Sequence, residues 1–202
     1  MEFFMDKLQN ETWQIRRDIY AMMAVVCDLG KPEASDDDKF VASTKMQNDE
    51  YTLANTKPDV PRNILVTVTQ NTANDTMGEL TVTGKDANDN EIEEVIEPNA
   101  DSTKEGDLAF AEITSIVGSG WSASGTDEED SIKIGTGNKL GLPIELSDKA
   151  NILVNIVDNA IQTYTAAVSD PATLAGTTID AQSGSGSYDG SNAVRVLVKP
   201  EI

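Results

Sequence analysis

Three short runs of this chain carry residue types that could do chemistry. The run DANDNEIEEVIE at residues 86–97 puts Asp86, Asn88, Asn90 and Glu97 at positions 1, 3, 5 and 12 of a calcium-binding loop. Oxygen ligands at that spacing can wrap a hard cation. The position that demands a glycine turn holds Glu91, however, and strand-like sequence flanks the run. A β-hairpin turn accounts for the same residues, because Asp and Asn accept left-handed backbone. The four are therefore weak metal candidates, and no cofactor is expected. GTDEED at residues 125–130 is an acidic tip of the same standing. GTGNKLG at residues 135–141 suggests a phosphate cradle. Such a cradle needs the N-terminus of a following helix, and here Leu142 and Pro143 lead back into extended chain. Its glycines are expected to permit a tight loop.

Nucleophilic catalysis finds no support. Serines are plentiful, but the chain has no histidine to activate one, and no GxSxG elbow occurs. The commonest general base and the commonest metal ligand are both missing. We expect no enzyme and no catalytic residues. The single cysteine, Cys27, excludes an intrachain disulfide; set in an apolar run, it reads as a small buried hydrophobe.

The composition narrows the class further. The 202 residues suit one core, or one domain and an arm. Lys and Arg number 15 against 35 Asp and Glu, a formal charge of −20. A nucleic-acid binder needs basic surface to displace phosphate counterions, and an anionic membrane surface makes the same demand. Neither partner is expected. The twin Arg, apolar run and Cys of IRRDIYAMMAVVC imitate a targeting leader, but Asp18 interrupts it and bulky Val26 precedes the Cys. No run approaches the ~20 apolar residues that span a bilayer. The start reads as mature, soluble chain.

The elements that must position these residues fall into two regions. Met5, Leu8, Thr12, Ile15, Ile19, Met22, Val26 and Leu29 recur at alternating spacings of three and four. This is a heptad seam with one polar member, Thr12. Gly30 and Pro32 then supply a helix stop, so the spacing predicts an α-helix over residues 5–29. Trp13 and Tyr20 lie off the seam. Such a helix packs either on the chain's own domain or on another protein. Its β-branched a positions favour a dimer and Ile15 at d a trimer, so either number stays open. Residues 31–50 read as a polar connector: Asp36, Asp37 and Asp38 form a solvated charge run, and Phe40 and Val41 are local anchors. Residues 1–50 are thus expected as helix and extended arm.

From about Tyr51 the period changes to two. PRNILVTVTQ puts Ile64, Val66 and Val68 on one face, and Leu65, Thr67 and Thr69 on the other. GELTVTG, EIEEVIE, LAFAEITSIV, a short SIKIG, NILVNIV, AIQTYTAAV and AVRVLVKPEI follow, with turn residues between them. Eight to ten short strands so spaced predict a mainly β, antiparallel sandwich or barrel-like domain over residues 51–202.

The same strands carry a resemblance. PDVPRNILVTVTQ, TVTGKDANDNEIEEVIEPNA and SIKIGTGNKLGLPIEL resemble a group of tailed-bacteriophage virion proteins. Those chains carry a PRNVTVT strand, a TVTGTDANGN hairpin with a TEVI strand, and a VxIGxGDKLGLP loop. Late in such chains come a GTxD turn and DGSND; here AGTTIDAQ begins at Ala175 and DGSNAVRVLV at Asp189. The likeness runs from Pro58 onward. Asp89 departs from it, standing where the hairpin usually has Gly, and residues 1–50 have no counterpart.

The resemblance implies a virion structural protein: a capsid decoration, cement or auxiliary protein on the outer surface of a phage head. Its partners would be the major capsid protein and its own copies, and its location the capsid exterior. The expected interface is the seam of Met5, Leu8, Ile15, Ile19, Met22, Val26 and Leu29, with Trp13 and Tyr20 as aromatic anchors. The alternative is a head-fibre or adhesin-type module contacting host-surface carbohydrate, calcium-dependent through its acidic loops, with Trp121 and Tyr188 as loop aromatics.

Overall fold

The computed structural model describes residues 24–71, 75–124, 130–169, 172–180 and 188–199. Thirteen strands lie among them. In chain order they are β1 Val25–Asp28, β2 Asp36–Lys45, β3 Arg62–Thr69, β4 Glu79–Lys85, β5 Glu91–Ile96, β6 Thr103–Glu105 and β7 Glu112–Ser119. Then come β8 Ser131–Gly141, β9 Ile152–Val157, β10 Ala160–Gln162, β11 Thr165–Ala167, β12 Thr178–Asp180 and β13 Val194–Val198. A short 3₁₀ turn at Lys149–Asn151 is the only helical element among the described residues. The protein is therefore mainly β, and every strand pairing is antiparallel.

The strands form three sheets. One runs β1-β13-β9-β10; one runs β11-β12-β8-β3-β6, with β2 also on β8; the third is β5-β4-β7. Strand β8 organises the molecule. Its first half, with Ile132 and Ile134, enters one core, and Leu140 near its end enters a second. Strand β2 pairs with the first half of β8 and β12 with the last two residues. The sequence SIKIGTGNKLG is thus one continuous eleven-residue strand, not a short strand followed by a loop.

The first core shows why alternation reads correctly here. Ile64, Val66 and Val68 of β3 are buried, as their spacing predicts. They meet Phe40 and Val41 of β2, Leu80 and Val82 of β4, Ile96 of β5, and Ile113 and Ile116 of β7. Two sheets thus bury their inner faces together, a sandwich arrangement. Each fully buried Ile or Leu contributes roughly 2 kcal/mol from leaving water. The second core draws Cys27 from β1, Ile152 and Val157 from β9, Ile179 from β12, and Val194, Val196 and Val198 from β13.

The first fifty residues need correction where they are described. Val25–Asp28, expected as the last turn of the helix, is strand β1 paired with β13. Val26 lies within β1 and Leu29 directly follows it, so neither is a helix-seam position. Gly30 does take the left-handed backbone a chain stop uses. The expected polar connector contains the ten-residue strand β2. Phe40 and Val41 anchor it as expected, but within the main core. Residues 25–45 are thus woven into the β body rather than lying beside it. The expected helical residues Met5, Leu8, Thr12, Trp13, Ile15, Ile19, Tyr20 and Met22 lie outside the described residues. The candidate strand AIQTYTAAV is two short strands, β10 and β11, in different sheets.

Candidate interaction surface

Two of the motif residues, Arg62 and Asn63, lie on β3, and both hold backbone. Arg62 is 1 % exposed. Its Nε lies 3.1 Å from the Asp59 carboxylate; its terminal nitrogens donate to the carbonyls of Glu33 and Ala34. Glu33 N–H in turn donates to Asp59 at 2.7 Å. Burial pulls the guanidinium below its ordinary pKa, while Asp59 opposes the shift. One buried cation thus pins residues 33 and 34 to the start of β3. Its neighbour Asn63, fully buried, donates to the Gly106 carbonyl at 3.0 Å and accepts from Lys139 N–H at 2.9 Å.

The glycines of GTGNKLG serve close approach rather than turning. A Cβ on Gly135 would fall on the Asp36 carbonyl, and one on Gly137 on the Asn63 carboxamide. One on Gly141 would sit 2.7 Å from Ala109 Cβ. The run offers no phosphate cradle, since it is strand throughout. Lys139 Nζ donates to the Gly106 carbonyl at 2.9 Å and pairs with Asp107 at 2.7 Å. Beside it, Glu94 accepts from the N–H groups of Asp107 and Leu108. Burial pushes the Glu94 carboxyl up against the pull of those bonds.

Asp86, Asn88 and Asn90 of the weak calcium candidates share one turn, and Glu97 lies apart from them. Asp86 accepts from Asn88 N–H at 2.8 Å, and from Asn90 N–H and its carboxamide at 3.0 Å. These bonds brace a hairpin between β4 and β5, in which Asp89 carries φ +62°. That value explains a glycine preference at position 89. Glu97 follows the end of β5, roughly 20 Å along the strand from the turn at ~3.3 Å per residue. GTDEED lies outside the described residues except for Asp130, which is buried and accepts from Trp121 Nε1 at 3.2 Å.

The expected charge run Asp36, Asp37 and Asp38 lies on strand β2 rather than in a connector. β2 carries a wide irregularity: Asp36 pairs with Thr136 and Val41 with Ile134, so four residues oppose Gly135 alone. This bulge gathers the Asp36, Asp37 and Asp38 carboxylates within 4.8 Å of one another. Lys133 Nζ sits 3.0 Å from Asp37. A hydrogen bond to Asp36 raises the Asp38 pKa. Asp38 is exposed, and Asp36 and Asp37 are partly so.

The surface with most binding character is the outer face of the four-stranded sheet. Antiparallel partners share a face. Val26, Leu197 and Val154 therefore form one outward row across β1, β13 and β9. Arg195, Ile156 and Ile161 form the next, ending on β10. Val26 is 60 % exposed and Ile161 77 %. At an irregularity between β9 and β13 the unpaired Leu153 is also exposed. The only charged pair in these rows is Asp28 with Arg195, at 3.4 Å. These rows place apolar side chains on the exposed face of an otherwise acidic chain.

Tyr188 is fully buried, and Trp121 is half-buried against the first core. Cys27 is buried, as expected, though on a strand; burial raises its thiol pKa. No helix among the described residues is long and apolar enough to cross a membrane. Comparison with family models, with curated proteins and with solved structures gives no significant match for this chain.

Proposed function

We propose that this chain is a non-enzymatic structural protein of a tailed-phage virion. In this reading it decorates or cements the outer surface of the head and binds the major capsid protein and its own copies. The observation that carries the reading is the apolar outer face of the β1-β13-β9-β10 sheet. Its edge strand β1 begins at Val25. Two further points support it. Three of the motif residues that carry the phage resemblance, Arg62, Asn63 and Asp86, hold backbone. The chain has no histidine and a charge of −20, which suits neither acid–base catalysis nor nucleic acid.

The proposed mechanism is burial of modest apolar surfaces repeated over a lattice, so that weak single contacts gain by multiplicity. Cosedimentation of the full-length protein with empty heads of the phage that carries it tests the reading. Capture with saturable stoichiometry supports it. Protein that stays in the supernatant at every concentration rejects it. The carbohydrate-binding alternative loses its aromatic platform, because Tyr188 is buried and Trp121 half-buried.

A further inference from the structure

The two edges of the β5-β4-β7 sheet are finished differently. Along β7, residues 49–56 cover the outer edge. Gly118 N–H donates to the Asp49 carbonyl, Tyr51 N–H to the Ile116 carbonyl and Ile113 N–H to the Thr56 carbonyl. Along β5 no such cover is present among the described residues. At the hairpin Asp86 N–H donates to the Asn90 carbonyl, and the bonded pairs of β4 and β5 alternate from there: Gly84 with Ile92, Val82 with Glu94 and Leu80 with Ile96. The Lys85 carbonyl accordingly turns to the other side, where it accepts from Ala111 N–H. The main-chain N–H and C=O groups of Glu91, Glu93 and Val95 therefore point away from the sheet. We infer that this edge takes up an extended, lysine- or arginine-bearing segment of another protein as a fourth strand.

Geometry and charge both select that occupant. β5 is six residues long and pairs with β4 without a bulge. It runs about 20 Å at ~3.3 Å per residue. An open, unkinked edge of that length is a template for an added strand. Glu91, Glu93 and Val95 share its exposed face, and Glu97 follows, also exposed. Glu91 and Glu93 form no ion pair among the described residues. Behind them, the rows across β4 and β7 hold one basic residue, Lys85, and the carboxylate of Glu112, which is paired with Lys57 at 3.2 Å. The row of Val95 continues through Thr81 to exposed Val117. An added strand with cations opposite Glu91 and Glu93, and an apolar residue opposite Val95, complements this face pair by pair.

The same charges reject a second copy of this strand. An antiparallel copy centred on Glu93 sets two Glu93 side chains face to face. Moved by one pair, it sets Glu91 against Glu93 or against Glu97. Like charges directly opposite repel, so the edge stays single among copies of this chain and opens only to a basic segment. This edge lies on a different sheet from the apolar face given to the capsid partner. The inference goes beyond that reading and does not depend on it.

Isotope-labelled full-length protein and the peptide acetyl-Thr-Val-Thr-Lys-Thr-Lys-Thr-amide test this by amide exchange. The N–H groups of Glu91, Glu93 and Val95 should exchange freely in the unbound protein. They should become protected as the peptide rises through about 1 mM, the range of a short added strand. A peptide with Glu in place of both Lys should bind roughly tenfold more weakly or worse. The double variant Glu91→Lys, Glu93→Lys should reverse that preference. The Lys peptide N-methylated at Val and both Lys keeps its charge but loses the N–H groups that face β5, and it should not bind. Four results would each overturn the inference: protection of the three N–H groups before any peptide is added, equal binding of the Lys and Glu peptides, undiminished binding of the N-methylated peptide, or no protection at about 10 mM peptide.

Discussion

The Arg62 guanidinium lies 5.7 Å from the centre of the Tyr188 ring, and both side chains are buried. The pair ties the start of β3 to the loop before β13. Through Arg62's bonds to Glu33 and Ala34 it also holds the strap between β1 and β2. A buried cation with four structural neighbours explains why a PRN strand and a late aromatic occur in one chain.

Removing that cation leaves the Asp59 carboxylate and two carbonyls without their partner. Arg62→Ala should therefore cost about 3 kcal/mol of stability, read as a lower urea midpoint. Arg62→Lys should recover only part of it, since an ammonium cannot reach Asp59 and two carbonyls in one plane. A midpoint unchanged in the Ala variant would contradict the anchoring role.

Gly135 tests the reading of GTGNKLG as a strand under a bulge. A Cβ there meets the Asp36 carbonyl, which is backbone and cannot rotate aside. Gly135→Ala should cost about 3 kcal/mol through forced displacement of β2. If residues 135–141 were a free loop, the same substitution would be nearly neutral.

Asp89 tests the hairpin in the opposite direction. Its left-handed backbone costs an L-residue roughly 1 kcal/mol that glycine does not incur. Asp89→Gly should raise stability by up to that amount. In the β9–β10 turn, Asp158 and Asn159 both have positive φ, as a two-residue type I′ turn requires. Asn159→Gly should act likewise. A lower melting temperature for either variant would contradict the assigned turn.

Glu94 supplies the pH dependence. Burial raises its carboxyl above the ordinary value, so the folded state holds its proton more tightly than the unfolded chain does. Its contribution is fully present below the ordinary carboxylate pKa and is lost as pH rises through the folded value. Glu94→Gln keeps an acceptor for the Asp107 and Leu108 N–H groups. Across about pH 4 to 7, the variant's stability relative to the native protein should improve as pH rises. Parallel stability curves would refute this.

The legible parts of the fold were those where one face meets water and the other does not. β3 alternates cleanly, and its buried set follows from spacing. The hairpins at Asp89 and Asp158 were marked by residues that tolerate left-handed backbone. β8 was harder, because three glycines that admit neighbouring groups look like turn residues in one dimension. β2 was hidden because its outward residues are charged, and its pairing partner lies far along the chain. The end of the expected helix misled for another reason. Val25, Val26 and Cys27 fit a heptad as well as a strand, and only pairing with β13 decides between them. The Asp36–Asp38 grouping comes from a bulge, which no local pattern encodes. The outer apolar face also escaped notice, since its residues come from β1, β9, β10 and β13.

A reconstruction of the virion tests the central claim most directly. The account predicts that the β body sits on the outer surface of the head, with the outer face of the β1-β13-β9-β10 sheet against a neighbouring protein. Density for this chain inside the shell, or its absence from the particle, would contradict the account.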